Sequence, residues 1–395
     1  MPTVAADLTQ HVEHNFADRN QLFETFFARE SLPLATACRE MSERFLKDGR
    51  LLAFGKGAYA TDAQHVSVEF VHPVIVGKRA LPALDLSLLF APWLHALLEP
   101  EDIVMGFGPP EGDPEIEAAV IDASARGAMT FALPGQFGSY VLRSPTENGF
   151  VHQELIEILY HTLWETVHVF FEHRELGHDV GEAGFLYPFL GQQKQETESI
   201  LVQVADSITI KVQEDANLRK RVADEQGEQI AAAALAIAGH VRRGGKLILF
   251  GNGGSATDAN DWAIDCIAPP PGYSPIPAVS LAFEPANISA LANDVGTEVV
   301  FLRQLIAQAR PNDIAVGFST SGSSKNVVLA LEEARKRGLL TVALLGYDGG
   351  EIVRRALADH SLVVHSDYIP RIQEVQASVY HTIRELLERI LHARN

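Results

Sequence analysis

The chain has little cysteine, little positive charge and no long apolar run. Its 395 residues include only two cysteines, Cys38 and Cys266, which are too few for a disulfide framework or a thiolate zinc cluster. Prolines and polar residues interrupt the most apolar stretch, Leu81 to Leu98, so it lacks the roughly 20 apolar residues of a spanning helix. Residues 1–15 lack the basic start and apolar centre of a signal peptide. We therefore expect a soluble, cytoplasmic protein.

Acidic residues clearly outnumber basic ones. There are 51 Asp and Glu against 32 Lys and Arg, so the formal net charge is −19. A surface of that sign repels nucleic-acid backbones and anionic lipids, so neither is expected as a direct partner. The chain is 47% hydrophobic and 21% charged, a composition typical of folded domains rather than of disorder. Any phosphate that this protein binds must be bound by local donors.

The sequence contains one pattern twice. The motif FGKGAYATDA at 54–63 reappears as FGNGGSATDA at 250–259. Three further matches follow in the same order: 102–107 with 313–318, 127–135 with 338–346, and 153–162 with 373–382. Collinear matches of this kind indicate an internal duplication. The Gly-containing stretch 171–193 has the composition of a connector, so we predict two domains, residues 1–190 and 191–395.

Each half shows the same order of elements. A helical opening (Leu8 to Leu46; Thr197 to Arg243) precedes an apolar strand that ends in a Gly loop (Leu51 to Phe54; Leu247 to Phe250). Short apolar runs then alternate with helical stretches such as Lys325 to Arg337. This alternation predicts parallel strands with helices on both faces, so each half should be a doubly wound α/β domain. Ligands are then expected at the carboxyl ends of the strands.

The second half carries two loops suited to phosphate. The run 251–254 (GNGG) separates a predicted strand from a helix that begins near Ser255, and the run 319–324 (STSGSS) precedes the helix at Lys325. A Gly-rich loop at a helix start presents backbone N–H groups and a positive dipole end to an anion. Five hydroxyls surround Gly322. The two loops therefore predict a phosphate site built from neutral donors.

Two other interpretations of these loops are weaker. The pattern Gly-x-Gly-x-x-Ala at 251–256, and again at 55–60, fits a degenerate dinucleotide fingerprint. That fingerprint also needs an acidic residue about 20 positions later, where the second half has the Pro-rich run 269–272. The serines could simply cap a helix, but one cap requires only one hydroxyl. No nucleotide cofactor is expected.

Further motifs extend the pattern towards a known family. With Asn293-Asp294, Gly349-Gly350 and Arg371-Ile372-Gln373-Glu374 followed by His381, the two loops resemble the sugar isomerase (SIS) domain family, and within it the phosphoheptose isomerases. The similarity covers the second half and, through the repeat, extends more faintly over the first. It implies flavodoxin-like domains, oligomers built from domain pairs and a phosphorylated sugar as ligand. It also implies a set of substrate-binding residues: Asn252, Gly253, Ser255, Asp294, Ser319, Thr320, Ser321, Ser324 and Gln373.

The resemblance further implies a His and a Glu one helical turn apart after the Gly loop, and a Gln and a His on the last helix, which bind zinc in some members. Aldose–ketose isomerisation moves a proton between adjacent carbons, so a base and an acid must flank them, and a metal can polarise the carbonyl. The second half has Asp261, Asp265, Gln373 and His381 at these positions. Asp in place of His offers a harder oxygen ligand, and Asp in place of Glu withdraws the carboxylate by one methylene.

The first half retains the whole expected set but not the phosphate loops. The four positions are His65, Glu69, Gln153 and His161, which the resemblance marks as metal ligands, with zinc as the expected ion. Tyr59 takes the place of Ser255, and the run 108–113 (GPPEGD) takes the place of the run 319–324, which we call the hydroxyl loop. Two prolines there remove N–H donors and two acidic side chains repel an anion.

These complementary losses leave two interpretations open. One composite site could draw on both halves, or the first half could be a non-catalytic duplicate retained for packing. In the second case His65 and Glu69 are an ordinary helix pair, and His161 and His381 are buried structural histidines.

The leading functional prediction is a phosphosugar aldose–ketose isomerase. Its substrate, by resemblance, is sedoheptulose 7-phosphate, converted to a heptose 7-phosphate through an enediol. Asp265 or Glu69 would act as base, with His381 or His161 as the partner acid/base. The alternative is a non-catalytic phosphosugar-binding protein with a regulatory or assembly role. In either case the two domains are expected to form a pseudo-dimer, and the chain a homodimer with four SIS domains.

Overall fold

The chain is divided into two compact units in the computed structural model, which describes residues 2–73, 78–175 and 197–392. The first unit comprises Gln21–Ala216, and the second comprises Met1–Asn20 with Asn217–Asn395. Each unit contains one five-stranded sheet. No helix in the described part of the chain is long and apolar enough to cross a membrane.

The first unit contains a parallel sheet in the order β2-β1-β3-β4-β5. Its strands are β1 (Leu51–Gly55), β2 (Ala83–Asp85), β3 (Ile103–Phe107), β4 (Met129–Leu133) and β5 (Tyr140–Val141). Its helices are the greater part of α1 (Pro2–Phe45), α2 (Tyr59–Val71), α3 (Phe90–Leu97), α4 (Pro114–Ala125) and α5 (Gly149–Glu175), with a 3₁₀ turn at Ser87–Leu89. Every residue of β1, β3 and β4 is buried, as expected for parallel strands covered by helices on both faces.

The second unit repeats this plan. Its strands are β6 (Leu247–Phe250), β7 (Ala278–Ser280), β8 (Ile314–Ser319), β9 (Leu340–Gly346) and β10 (His360–Val364). Its helices are most of α6 (Thr197–Arg242), then α7 (Gly254–Ile267), α8 (Pro285–Asp294), α9 (Val300–Gln308), α10 (Lys325–Lys336), α11 (Gly350–Arg354) and α12 (Ile369–His392), with a 3₁₀ turn at Thr297–Val299. The parallel order is β7-β6-β8-β9-β10.

The two sheets share the strand order 2-1-3-4-5 when each is counted from its own first strand, which is the flavodoxin-like order. The predicted fold class is therefore confirmed. The order in which successive strands are added reverses between the first and third strands of such a sheet, and ligands bind at the carboxyl ends of these two strands. In the second unit these strands are β6 and β8, which pair in register from Leu247 with Ile314 to Phe250 with Gly317. The two predicted phosphate loops thus leave neighbouring strands.

The long helices α1 and α6 are each divided between the units. Residues 2–20 of α1 belong to the second unit, where Leu8 and Phe16 are buried in its apolar core. Residues 197–216 of α6 belong to the first unit, where Val204 and Val212 are buried. At about 1.5 Å per residue each helix is roughly 65–70 Å long, about twice the diameter of a small domain.

The units accordingly differ from the predicted domains 1–190 and 191–395, because each unit takes one end of the other half's long helix. The predicted boundary at Leu190 lies outside the described residues, as does most of the predicted connector. The first residues of that connector are helical, since α5 continues to Glu175. The pseudo-dimer arrangement stays a prediction.

Candidate functional site

The first loop of the second unit turns sharply from β6 into α7. Gly251 has no room for a side chain, because a Cβ there would lie 2.7 Å from the carbonyl carbon of Ser255. Gly253, at the N-cap of α7, has φ +56° and ψ −127°, and no side chain caps the helix. Ser255 lies in the first helical turn and is buried. The loop therefore presents the uncapped N-terminus of α7 at the carboxyl end of β6.

The second loop joins β8 to α10. Ser319 ends β8 and is buried, and its Oγ donates to Ser324 Oγ at 3.1 Å. Ser321 is exposed, and its Oγ accepts a hydrogen bond from the backbone N–H of Ser323. Thr320 is half-buried between them. Ser324 is the N-cap of α10 but makes no side-chain cap hydrogen bond, so a second uncapped helix begins beside the first.

Two amide side chains connect these loops. Asn252 Nδ2 donates to Asn326 Oδ1 and Asn326 Nδ2 donates to Asn252 Oδ1, both at 2.9 Å. Asn326 Oδ1 also accepts from the backbone N–H of Val327. Asn326 is missing from the sequence-based site, although its place one residue after the start of α10 could have indicated it. The reciprocal pair fixes the spacing of the two helix N-termini, whose positive dipole ends favour an anion.

A third loop, which contains Gly349 and Gly350, packs against the hydroxyl loop. Gly322 has φ +60°, and a Cβ there would lie 2.8 Å from the backbone nitrogen of Gly350. The backbone N–H of Glu351 donates to Ser323 Oγ at 3.1 Å. These backbone contacts hold the hydroxyl loop in one position.

The other predicted substrate-binding residues lie outside the two loops. Asp294 is exposed at the end of α8, where it accepts a hydrogen bond from Asn293 Nδ2 at 2.7 Å. Gln373 is buried near the start of α12, between the ion-paired residues Arg371 and Glu374 in the sequence.

Behind the loops, α7 and α12 bring together a carboxylate–imidazole cluster. His381 Nε2 lies 3.1 Å from Asp265 Oδ2 and 3.4 Å from Asp261 Oδ2. All three residues are buried, with His381 at 0% exposure. Arg384 Nε donates to the backbone carbonyl of Asp265 at 3.1 Å. The predicted pair Asp265 and His381 is therefore in hydrogen-bond contact.

Burial strongly perturbs Asp265. Desolvation, and then the nearby Asp261 carboxylate, raise its pKa to about 7, against the opposing effects of His381 and Arg384. Asp265 Oδ1 is buried without a hydrogen-bond partner. A carboxyl group that titrates near neutral pH can both accept and donate a proton, as a general acid/base requires.

Tyr380 also belongs to this cluster, although it is not among the predicted site residues. Its hydroxyl donates to Asp261 Oδ2 at 2.8 Å. Its ring stacks on Trp262, with centroids 5.7 Å apart, and meets Phe318 edge-on at 5.9 Å. The repeat offered a signal, because Tyr-His-Thr occurs at both 160–162 and 380–382.

The first unit contains the matching cluster with different donors. His65, Glu69 and His161 are buried, and their ligand atoms lie within 4.8 Å of one another. Burial, and then the neighbouring His161, hold the pKa of His65 well below its usual value, so His65 is neutral at pH 7, as a metal ligand must be. Gln153 is buried and donates from Nε2 to the carbonyl of Ala58. In the second unit, the ligand atoms of Asp261, Asp265 and His381 also lie within 4.8 Å of one another.

The phosphate loops of the first unit are filled by its own side chains. Asp113 caps α4, accepting from the N–H groups of Glu115 at 2.8 Å and Ile116 at 3.1 Å. Lys56 Nζ lies 2.9 Å from carboxylate oxygens of both Asp113 and Glu115. Burial opposes ionisation of Asp113, but the hydrogen bonds from Lys56 and the two N–H groups lower its pKa overall.

These residues correspond to the second unit's loop residues through the repeat. With the repeat offsets of 196 and 211, Lys56 corresponds to Asn252 (56 + 196) and Glu115 to Asn326 (115 + 211). Asp113 corresponds to Ser324 by the same offset (113 + 211). The same positions therefore join the two loops in both units, but in the first unit the connection is ionic and a protein carboxylate caps the helix.

Comparisons with known proteins agree with this geometry. A model of the SIS domain matches residues 212–346. The phosphoheptose isomerase of Chlorobaculum tepidum is 44% identical over 180 residues, which are 45% of this chain and 85% of that protein. That of Pelobacter propionicus is 39% identical over 189 residues, covering 48% and 99% of the two chains.

A solved structure extends the likeness of fold to the whole chain. The tagatose-6-phosphate ketose/aldose isomerase of Escherichia coli superposes with a TM-score of 0.56, covering 98% of this chain and 94% of that one at 13% identity. At this identity the likeness concerns the fold alone.

Proposed function

Because the chain belongs to the SIS-domain family that includes the phosphoheptose isomerases, we propose that it isomerises a phosphorylated sugar between its ketose and aldose forms. The observation that carries this proposal is the pair of uncapped helix N-termini, α7 and α10, joined by Asn252 and Asn326 and lined by hydroxyls. We further propose sedoheptulose 7-phosphate as the substrate, in line with the names of the 39–44% identical relatives.

The phosphate is assigned to the second unit's loops. Hydroxyls of Ser255, Ser319, Thr320, Ser321 and Ser324 donate to its oxygens, together with N–H groups of the helix N-termini. Asn252 and Gly253 shape the first loop, while Asp294 and Gln373 are assigned to the sugar hydroxyls. Neutral donors suit a chain with a net charge of −19, because they bind an anion without a basic surface.

The proton transfers are assigned to Asp265 and His381. Asp265 in its ionised form takes the proton from the carbon next to the carbonyl, and the electron pair of that C–H bond forms the double bond of the enediol. The carbonyl oxygen receives a proton from His381. A proton then adds to the former carbonyl carbon, while the hydroxyl on the carbon that first gave up its hydrogen loses its proton and becomes the aldehyde carbonyl. The contact of 3.1 Å between the two residues allows the proton to pass between them.

The first unit's cluster fits zinc. Two imidazoles and a carboxylate with ligand atoms within 4.8 Å of one another match the nitrogen and oxygen donors of protein zinc sites. We propose His65, Glu69, Gln153 and His161 as the ligands. When bound, zinc supplies a Lewis acid that can polarise a carbonyl. Glu69 and His161 are the alternative base and acid.

The assembly is also proposed from the family resemblance. Two chains would give four SIS domains as a homodimer, without nucleic acid or membrane as a partner. A cytoplasmic location agrees with the two buried, reduced cysteines, Cys38 and Cys266.

One observation favours a second function, phosphosugar sensing without catalysis. His381 and Asp265 are 0% and 1% exposed, so the acid/base pair lies deeper than the loops that would bind phosphate. A binding protein would retain the loops and need no proton exchange.

Proton exchange distinguishes the two functions. Incubation with sedoheptulose 7-phosphate in heavy water should introduce deuterium at the carbons next to the carbonyl, as measured by NMR. Ser319→Ala should lose phosphosugar binding, and Asp265→Asn should retain binding but lose exchange. Ser42→Ala is a matched control, because Ser42 is also buried and donates to a backbone carbonyl in the first unit. Thermal stabilisation by the sugar without exchange in the unmodified protein would favour the sensor.

A further inference from the structure

The position of Tyr380 is set by packing on both sides of its ring. Trp262 on α7 stacks against one side and Phe318 meets the ring edge-on. Trp262 and Phe318 are both 0% exposed. Because Phe318 immediately precedes Ser319, the residue that holds the tyrosine ring also adjoins the hydroxyl loop. The hydroxyl of Tyr380 is thereby directed at Asp261.

One imidazole N–H faces two carboxylates in this cluster. Asp261 Oδ2 and Asp265 Oδ2 lie 3.4 Å and 3.1 Å from the same nitrogen of His381. A single N–H donates one good hydrogen bond, so the two oxygens compete for it. Asp261 Oδ2, however, also accepts the hydroxyl hydrogen of Tyr380 at 2.8 Å. The carboxylate that already has a donor is the one more distant from His381.

We propose that Tyr380 is a positioning residue that directs the Nε2 proton of His381 to Asp265 by satisfying the competing carboxylate of Asp261. The inference deepens the proposed function, on which it rests, because Asp265 and His381 are the assigned acid/base pair. Asp261 and Arg384 are charged groups that face Asp265. Asp261 therefore has a role at a position where the family resemblance leads one to expect histidine.

The principal test replaces Tyr380 by phenylalanine, which retains the ring between Trp262 and Phe318 and removes only the hydroxyl. Asp261 then competes for the His381 proton, so kcat should fall about ten- to hundredfold, which is at or below the roughly 10²–10⁴-fold that general acid–base catalysis contributes as a whole. KM should stay within about twofold, because no loop residue changes. Tyr140→Phe is the matched control, since Tyr140 is a buried tyrosine whose hydroxyl donates to Glu30 in the first unit.

Proton NMR tests which carboxylate accepts the Nε2 proton of His381, and this measurement requires no substrate turnover. The Nε2 proton of His381 should give a downfield imidazole resonance in proton NMR, which His381→Gln identifies by its loss. Tyr380→Phe should shift or broaden this resonance, and Tyr140→Phe should not. Asp261→Asn removes the competing charge and is the second variant, expected to retain the resonance and the hydrogen bond to Asp265.

The outcomes separate the inference from the proposed function. An unchanged kcat and an unchanged resonance in Tyr380→Phe would overturn the positioning role, even if the chain isomerises the sugar. Equal losses in Tyr380→Phe and Tyr140→Phe would also overturn it, because they would reflect stability alone. If Tyr380→Phe shifts the resonance but the unmodified chain exchanges no substrate proton, the proposed isomerase function would be overturned and the positioning role of Tyr380 supported.

Discussion

Replacing Gly322 by alanine tests whether the hydroxyl loop depends on its support by the Gly349-Gly350 turn. Gly322 has φ +60°, and an added Cβ would lie 2.8 Å from the nitrogen of Gly350 and closer still to the carbonyl group of Gly349. These are backbone atoms, so no side chain can rotate away to relieve the contact. The loop that carries Ser319 to Ser324 must therefore move.

Gly338 provides a matched substitution that isolates this collision. It has φ +71° in the turn before β9, and a Cβ there would meet no atom within 4 Å. Left-handed backbone costs an alanine about 1–2 kcal/mol at either position. At Gly322 the crowding adds about 1–3 kcal/mol, the usual cost of inserting a methyl group into a packed site. We expect Gly322→Ala to lose about 2–5 kcal/mol and Gly338→Ala about 1–2 kcal/mol.

Urea unfolding and calorimetry measure both consequences. For a unit of this size, 1 kcal/mol corresponds to about 2–4 °C in Tm, so the two variants should be resolved. Titration with sedoheptulose 7-phosphate should show at least a tenfold weaker Kd for Gly322→Ala and an unchanged Kd for Gly338→Ala. Equal stability losses together with an unchanged phosphosugar Kd in both variants would refute the role of the Gly349-Gly350 turn.

Three further predictions concern the buried His and carboxylate clusters of the two units and the hydroxyl loop. Asp265→Asn should remove a decline in stability as the pH rises from about 4 to about 7, because the folded chain retains the Asp265 proton up to its pKa of about 7, whereas the unfolded chain releases it near the ordinary pKa of 3.8. Urea unfolding across this range measures the decline, and a pH-independent difference from the unmodified chain would contradict it. His161→Gln should lower the zinc content measured by mass spectrometry and His381→Gln should not, so equal zinc in the two variants would count against the first unit's site. Ser319→Ala should abolish turnover, and activity that survives His161→Gln but not His381→Gln would confine the reaction to the second unit.

Much of the fold could be predicted because strong local patterns coincide with the repeat. The strand at Leu247–Phe250 has the predicted bounds, and the helix at Lys325–Lys336 ends one residue before the predicted position. A continuous apolar run followed by glycines has few alternatives to a buried strand and a tight turn. The contact between Asp265 and His381 also agrees with their spacing on the two helices.

The remaining features depend on contacts that no local pattern encodes. The apolar stripe of α6 marks one face as buried, but nothing in it shows which core covers Val204 and which covers Val222. Likewise, the ionic link from Lys56 to Asp113 joins residues 57 positions apart. The acidic residues of this loop predict that it repels phosphate, but only the three-dimensional structure shows that Asp113 accepts the N–H groups at the start of α4.

The division of α1 and α6 between the units makes each half of the chain dependent on the other. A fragment that begins at residue 191 would lack Leu8, Val12 and Phe16, which complete the second unit's core, and would expose Val204, Ile208 and Val212, which belong to the first. During synthesis the first unit remains incomplete until residues 197–216 have left the ribosome. After a gene duplication, such a mutual exchange would keep a unit with altered phosphate loops from being lost, since deleting it would remove part of its neighbour.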